Sequence, residues 1–109
     1  MEIWEKCPEL NHRYEVSSHG RIRVRLKPKI NDNGYEFVYV LLNDGRWRKR
    51  YVHRLVARTF IGPYPPDQEV HHKDFVKLNN RKGNLEYLTY KEHKRKSIEI
   101  FQRQRGKTQ

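Results

Sequence analysis

The stretch Glu69-Val70-His71-His72-Lys73-Asp74, continued by Asn84-Leu85-Glu86-Tyr87-Leu88-Thr89 and Tyr90-Lys91-Glu92-His93, decides the fold. Val70-His71-His72 reads as a short strand, Lys73 to Gly83 as a loop, and Asn84 to Leu88 as a second strand. Thr89 and Glu92 have the spacing of a capping box, in which the threonine and the glutamate satisfy each other's backbone amides. A helix is therefore expected from Tyr90 through Ile98 and Phe101, which supply its apolar side, with His93 in its first turn. Adjacent strand residues point to opposite faces, so His71 and His72 should differ in role. Two neutral imidazoles, one from a strand and one from a helix, can hold a divalent cation and leave positions open for water and phosphate oxygens. A further histidine beside such a cation is suited to deprotonating a water. Cutting a phosphodiester requires those parts: an aligned nucleophile, a base, and positive charge on the developing phosphorane.

Upstream of this unit, Val52, Leu55, Val56 and Phe60 recur at helical spacing, and Gly62-Pro63 stops the helix they define. His53, Arg54 and Arg58 lie off that apolar stripe; Arg54 and Arg58, four residues apart, share one side. His53 is expected to touch a phosphate or to pack, and is not ranked as catalytic. Further upstream the period changes to two. In Arg21-Ile22-Arg23-Val24-Arg25-Leu26-Lys27 the cations take one face of a strand and the aliphatic residues the other. Asn31-Asp32-Asn33-Gly34 and Asn43-Asp44-Gly45 are turn signals on either side of a strand from Tyr35 to Leu42. Arg46, Arg48 and Arg50 then alternate with Trp47 and Tyr51. Two basic rows in one small antiparallel sheet suit contact with phosphates, to which arginine binds through two parallel hydrogen bonds. His12 and His19 read as surface or turn residues.

The chain has 109 residues with 24 Lys+Arg against 13 Asp+Glu, a formal charge of +11. That charge is concentrated. Residues 21–50 hold nine basic and three acidic groups and residues 91–109 seven and two, whereas residues 51–90, which contain the histidine pair, hold six and four. Leu, Ile, Val and Phe make up about 24% of the chain, above the level at which a charged sequence stays unfolded. A small core with a cationic surface points to nucleic acid as the partner. No apolar run reaches the length of a membrane helix, and no signal-peptide core is present at the N-terminus, so no membrane role is expected. A single cysteine, Cys7, excludes an internal disulfide and a multi-cysteine zinc site.

The motifs Val52-His53-Arg54-Leu55-Val56-Ala57-Arg58-Thr59-Phe60-Ile61, His71-His72-Lys73-Asp74, Asn79-Asn80 and Asn84-Leu85-Glu86-Tyr87-Leu88-Thr89 resemble the HNH endonucleases of the ββα-metal fold, in particular the phage homing type. Trp4, Tyr14-Glu15-Val16-Ser17 and Gly20-Arg21-Ile22-Arg23 resemble the nuclease-associated module that often precedes that core. The resemblance spans roughly residues 2–97, with the central Asn84 and the helix residue His93 falling 13 and 22 positions after His71. It implies His71 and His93 as metal ligands, His72 as the general base, and Asn84 as a supporting catalytic residue that braces the loop and orients the His72 imidazole. It also implies one divalent cation, Mg²⁺ or Mn²⁺, with Zn²⁺ or Ni²⁺ as alternatives, and nicking that leaves a 5′-phosphate and a 3′-hydroxyl. The N-terminal sheet would dock on the duplex through Arg21, Arg23, Arg25, Arg46, Arg48 and Arg50, joined by Arg54 and Arg58.

Three departures qualify the pattern. Phe75-Val76 stands where relatives usually have a Gly-Asn turn, Ser97 stands where one branch has a third metal histidine, and no C-terminal helix-turn-helix follows within the 109 residues. A three-histidine zinc site is therefore not expected, and recognition should be short or degenerate, with mainly electrostatic affinity. Asp74 is expected to brace the loop in preference to binding metal. The expected fold is α+β: a small N-terminal antiparallel β-sheet module over residues 1–50, a short helix and ββα-metal (HNH) module over 51–101, and a basic tail over 102–109. A monomer acting on DNA in the host cytoplasm, at the nucleoid, is expected, and a phage protein partner stays open. The rival readings are a non-catalytic nucleic-acid-binding protein with a degenerate site, and a purely structural metal staple.

Overall fold

Alternating sequence builds strands in the first half of the chain, and one apolar helix then gathers them. A computed structural model describes residues 1–8, 10, 11, 14–23 and 28–107, with side chains described through Ile100 and at Gln102. Strands β1 (Trp4–Glu5), β2 (Glu15–Ser17) and β3 (Ile22–Arg23) form one antiparallel sheet in that order. Strands β4 (Lys29–Ile30), β5 (Glu36–Leu41) and β6 (Trp47–Tyr51) form a second. Helix α1 (Val52–Phe60) follows β6 directly. Strands β7 (Gln68–His72) and β8 (Leu85–Thr89) make a hairpin whose long loop ends in a 3₁₀ turn at Lys82–Asn84, and helix α2 (Tyr90–Lys107) closes the fold.

The centre is α1. Val52, Leu55, Val56 and Ala57 are fully buried, and around them close Val16 of β2, Val38 and Val40 of β5, Val70 of β7 and Leu85 of β8. Burying a leucine such as Leu55 contributes roughly 2 kcal/mol. One helix thus ties both N-terminal sheets and the C-terminal hairpin to a common core, so the positions of the two halves of the chain are coupled through it.

The expectation of one basic sheet is corrected. β3 pairs back onto β2 (Val16↔Ile22), whereas β4 pairs forward onto β5 (Ile30↔Glu36) across the Asn31–Gly34 turn. Pro28, which has no backbone N–H to donate, stands between the two pairings. Arg23 and Arg48 therefore lie in different sheets, and Arg21 precedes β3. Val24 to Lys27, and with them the expected DNA contact Arg25, lie outside the described residues, as does His12.

Alternation in β6 is as expected, but the register assigns its faces. Arg50 and Arg48 pair with the buried Val38 and Val40, so the arginines lie on the core side of the sheet, towards its edge. Trp47, Lys49 and Tyr51 share the outer face with Leu41, Tyr39 and Phe37, and there Tyr39 is 52% and Trp47 60% exposed.

Two further expectations change in the C-terminal part. Asn84 ends the 3₁₀ turn, and β8 begins one residue later. Helix α2 continues through Lys107, past the expected tail boundary at residue 102, because Gln and Arg propagate a nucleated helix. Ile98, expected on a packed face, is 48% exposed; the Phe101 side chain and those of residues 103–107 are outside the described set.

Candidate active site and nucleic-acid interface

The β7–β8 hairpin pairs His71 with Glu86 and His72 with Leu85, and the pleat sends the two buried histidines to opposite sides, as the sequence predicts. The capping box is present: Thr89 N–H donates to Glu92 Oε2 (3.1 Å) and Glu92 N–H to Thr89 Oγ1 (3.2 Å). It starts α2 so that His93, one turn in, meets His71 with ring centroids 4.8 Å apart. Glu69, two residues before His71 and so on the same strand face, hydrogen-bonds His93 Nδ1. Because a carboxylate accepts, Nδ1 carries the hydrogen and the Nε2 lone pair is left for a ligand. Burial above all, with the neighbouring His93, pushes the His71 pKa down and so favours its neutral form. A divalent cation suits this donor set: two imidazoles, one of them oriented by a carboxylate. No third His, Cys, Asp or Glu completes an all-protein cage among the described residues, which leaves coordination positions for water and phosphate.

On the opposite face His72 packs against His53 (5.1 Å) and Tyr35 (6.2 Å), and its Nε2 lies 2.8 Å from Asn80 Oδ1. Asn84 was expected both to brace the loop and to orient this imidazole, and it takes only the first task directly. Its Oδ1 accepts from the Asp74 amide (3.1 Å), and its Nδ2 donates to Asp74 Oδ1 (2.9 Å) and to the Asn79 carbonyl (2.8 Å). The side chain is spent across the loop, so the bond to His72 falls to Asn80. Asp74 braces as expected: hydrogen bonds from Asn79 and the Val76 amide, with Asn84, hold its carboxyl below the usual range. The Phe75-Val76 departure is absorbed by Phe75 itself, which takes a left-handed φ of 61° while its ring rests 4.8 Å from His71.

His71, His72 and His93 line one cleft of about 180 Å³ with Tyr35, Phe75 and Lys77. Lys77 donates to the Asn33 carbonyl (2.7 Å) and lies over the Tyr35 ring. A neighbouring cleft, sharing Tyr35, Val70 and His93, runs past Glu69 and His53 to Tyr51, Arg54 and Tyr64. It leads to a third, about 290 Å³, walled by Lys49, Arg50, Tyr51, Arg54, Arg58 and Tyr64. Among the described residues four cations and no acid line that last cleft, and the Arg54 guanidinium sits over both tyrosine rings (5.3 and 5.8 Å). His53 packs beneath Tyr35 and Tyr51, the bland of its two expected roles.

The expected arginines therefore divide. Arg50, Arg54 and Arg58 wall the cationic cleft, from which Arg54 also reaches the cleft shared with His93, and Arg46 and Arg48 are exposed at the β6 end of the second sheet. Arg21 and Arg23 are engaged by Glu2 and Glu15, and Arg23 also stacks on Trp4 at 4.1 Å. Sequence reasoning passed over Glu69, Glu36, Tyr35, Lys77 and the lysine-capped aromatic face, where Lys49 lies 4.3 Å over Phe37 and Lys29 6.0 Å over Tyr39. Only Glu69 had a usable signal, its period-two relation to His71.

A histidine pair on a hairpin, a loop latched by asparagine and a capped helix returning a third histidine give the β–β–α arrangement expected of an HNH motif. Comparison with known proteins agrees: residues 50–95 match the HNH endonuclease family and residues 2–40 the NUMOD4 motif, so the chain carries an HNH endonuclease domain preceded by a NUMOD4 motif. The DNA endonuclease I-HmuI of Bacillus phage SP01 is 33% identical over 93 residues, which cover 81% of this chain and 53% of that enzyme. An HNH endonuclease of Acanthamoeba polyphaga mimivirus is 34% identical over 105 residues, covering 90% of this chain and 26% of its own length. The solved structure of I-HmuI, described for its DNA binding and cleavage, superposes with a TM-score of 0.81 at 29% identity over 90% of this chain and 59% of that one. The chain thus spans between about a quarter and about half the length of these curated relatives.

Proposed function

We propose that the chain is a divalent-metal-dependent endonuclease that hydrolyses phosphodiester bonds of double-stranded DNA, nicking one strand to leave a 5′-phosphate and a 3′-hydroxyl. The observation that carries this reading is the convergence of His71, His72 and His93 on one cleft, continuous with the cation-walled cleft at Arg54. I-HmuI, similar in sequence and fold, is described as binding and cleaving DNA. His71 and His93 would hold the cation, with Glu69 fixing the His93 ring. The cation, when bound, supplies positive charge to the phosphorane and the leaving oxygen. His72 takes the proton of the attacking water, Asn84 and Asp74 keep the loop beneath it rigid, and Lys77 adds charge at the cleft mouth. Mg²⁺ or Mn²⁺ would take most of its coordination from water and phosphate oxygens, while the two imidazoles also suit Zn²⁺ or Ni²⁺.

A supercoiled-plasmid assay tests this. Relaxation is expected with Mg²⁺ or Mn²⁺ and none with EDTA; binding without nicking in every metal would leave a DNA-binding protein in place of an enzyme. Arg46, Arg48, Arg50, Arg54 and Arg58 are the proposed backbone contacts, together with Arg21, Arg23 and Arg25. The double variant Arg54→Ala/Arg58→Ala should bind DNA more weakly and show a log–log salt slope shallower by about 2, one counterion for each lost phosphate contact. An unchanged slope would place the footprint elsewhere. We further propose that the protein acts as a monomer on host-cell DNA, which gel filtration of the DNA complex would check.

A further inference from the structure

We propose that Asn80 is the positioning residue of the general base and that Glu36, contributed by the N-terminal half of the chain, sets the direction in which the Asn80 amide points. The inference rests on the reading of His72 as the base and deepens it. Asn80 is only 3% exposed, and both ends of its side chain are engaged. Oδ1 lies 2.8 Å from His72 Nε2, while Nδ2 donates to Glu36 Oε1 at 3.4 Å. A carboxylate only accepts, so the NH₂ end of the amide turns to Glu36 and the carbonyl end to His72. A carbonyl likewise only accepts. Nε2 of His72 must then carry the hydrogen, and the lone pair of the neutral ring is on Nδ1, the nitrogen free to receive a proton from water. Glu36, Asn80 and His72 form a relay that selects one tautomer and one ring orientation.

The N-terminal half also fixes where Asn80 sits. Gly20, at φ +89°, packs so tightly on it that a Cβ there would lie 2.8 Å from both the Asn80 Cβ and its carbonyl oxygen. Next to this contact, the Lys82 amide donates to the Ser18 carbonyl at 2.8 Å. Glu36 lies on β5 and Gly20 in the turn before β3, so both sheets of the N-terminal half reach the same residue of the nuclease loop. On this view that half does more than dock the substrate, because it completes the base. Asn84 does not compete for the task, since its side chain is committed to Asp74 and Asn79.

The test uses the whole chain and two independent readouts: the tautomer of His72, from long-range ¹H–¹⁵N correlation spectra at neutral pH, and plasmid nicking with kcat and KM separated. Wild type should show the Nε2–H tautomer. Asn80→Ala should show a mixture and lose about 100-fold in kcat, with KM and directly titrated Mn²⁺ affinity within about twofold. Asn80→Asp faces Glu36 with a second carboxylate and should also be impaired. Adding Glu36→Gln restores a donor opposite Asp at position 80 and should recover at least about tenfold of the lost kcat, a rescue that a merely structural role would not show. An Asn80→Ala protein with the wild-type tautomer and kcat, or a double variant no better than Asn80→Asp, would overturn the proposal. A wild type that nicks no DNA would instead overturn the functional reading, while the tautomer comparison would still decide whether Asn80 orients His72.

Discussion

His72→Ala is expected to lower the plasmid-nicking rate by about 10³-fold at saturating Mg²⁺, the scale of a lost general base. DNA affinity should stay within about twofold, because the cationic cleft at Arg50, Arg54 and Arg58 is built by β6 and α1 and the imidazole does not line it. The fold should survive: His72 leaves a gap beside His53 and Tyr35, but the core around Leu55, Val56 and Val40 is untouched. Direct titration with Mn²⁺ separates this role from that of the neighbouring residue. His71→Ala should lose most of the metal affinity, whereas His72→Ala should retain it, since the two side chains leave β7 on opposite faces. Equal nicking rates for wild type and His72→Ala would remove the histidine from the mechanism.

The second large effect is on stability in acid. His53 is buried among Tyr35, Tyr51 and His72, its Nδ1 has no hydrogen-bond partner among the described residues, and Arg54 is its neighbour in the chain. Burial above all, with the charges of His72 and Arg54, lowers its pKa from 6.5 to about 3. Between those values the unfolded chain takes up a proton that the folded chain refuses. The contribution is therefore complete above pH 6.5 and is lost as the pH falls towards 3, at about 1.4 kcal/mol per pH unit. Between pH 6 and pH 4 the loss should reach about 2.5 kcal/mol, read from urea midpoints. His53→Phe keeps the ring contacts and removes the titrating group, so it should flatten that slope and leave stability at pH 7 equal or higher. Should the variant keep the wild-type slope, the acid sensitivity has another source.

Much of the candidate site was legible because its signals are local. The capping box placed His93 in the first turn of α2, strand alternation separated His71 from His72, and the Leu55 stripe marked the buried face of α1. The errors have a common origin in pairing. Alternation shows that Arg23 and Arg48 each stand in a row, but it carries no information on which strand pairs with which, and the two rows belong to different sheets. The alternation of β6 likewise does not say which face meets the core, and Trp47 is open to solvent because α1 covers the other side.

His53 and Asn80 show where local signals end. One was expected to touch a phosphate or to pack, with nothing to say which, and the other was an unassigned member of an Asn-Asn pair. Each acquires its character from groups distant in sequence: Tyr35 and His72 around His53, Glu36 and Gly20 around Asn80. The sequence alone determined the cationic surface, the strand and helix periods, and the spacing of His71, His72, Asn84 and His93, because these depend on residue type and separation along the chain. The tertiary structure decided which arginines gather beside the histidines, which amide holds the base, and that both halves of the chain share one core. Those depend on how β-strands pair across long separations, which hydrophobic pattern and turn chemistry leave undetermined.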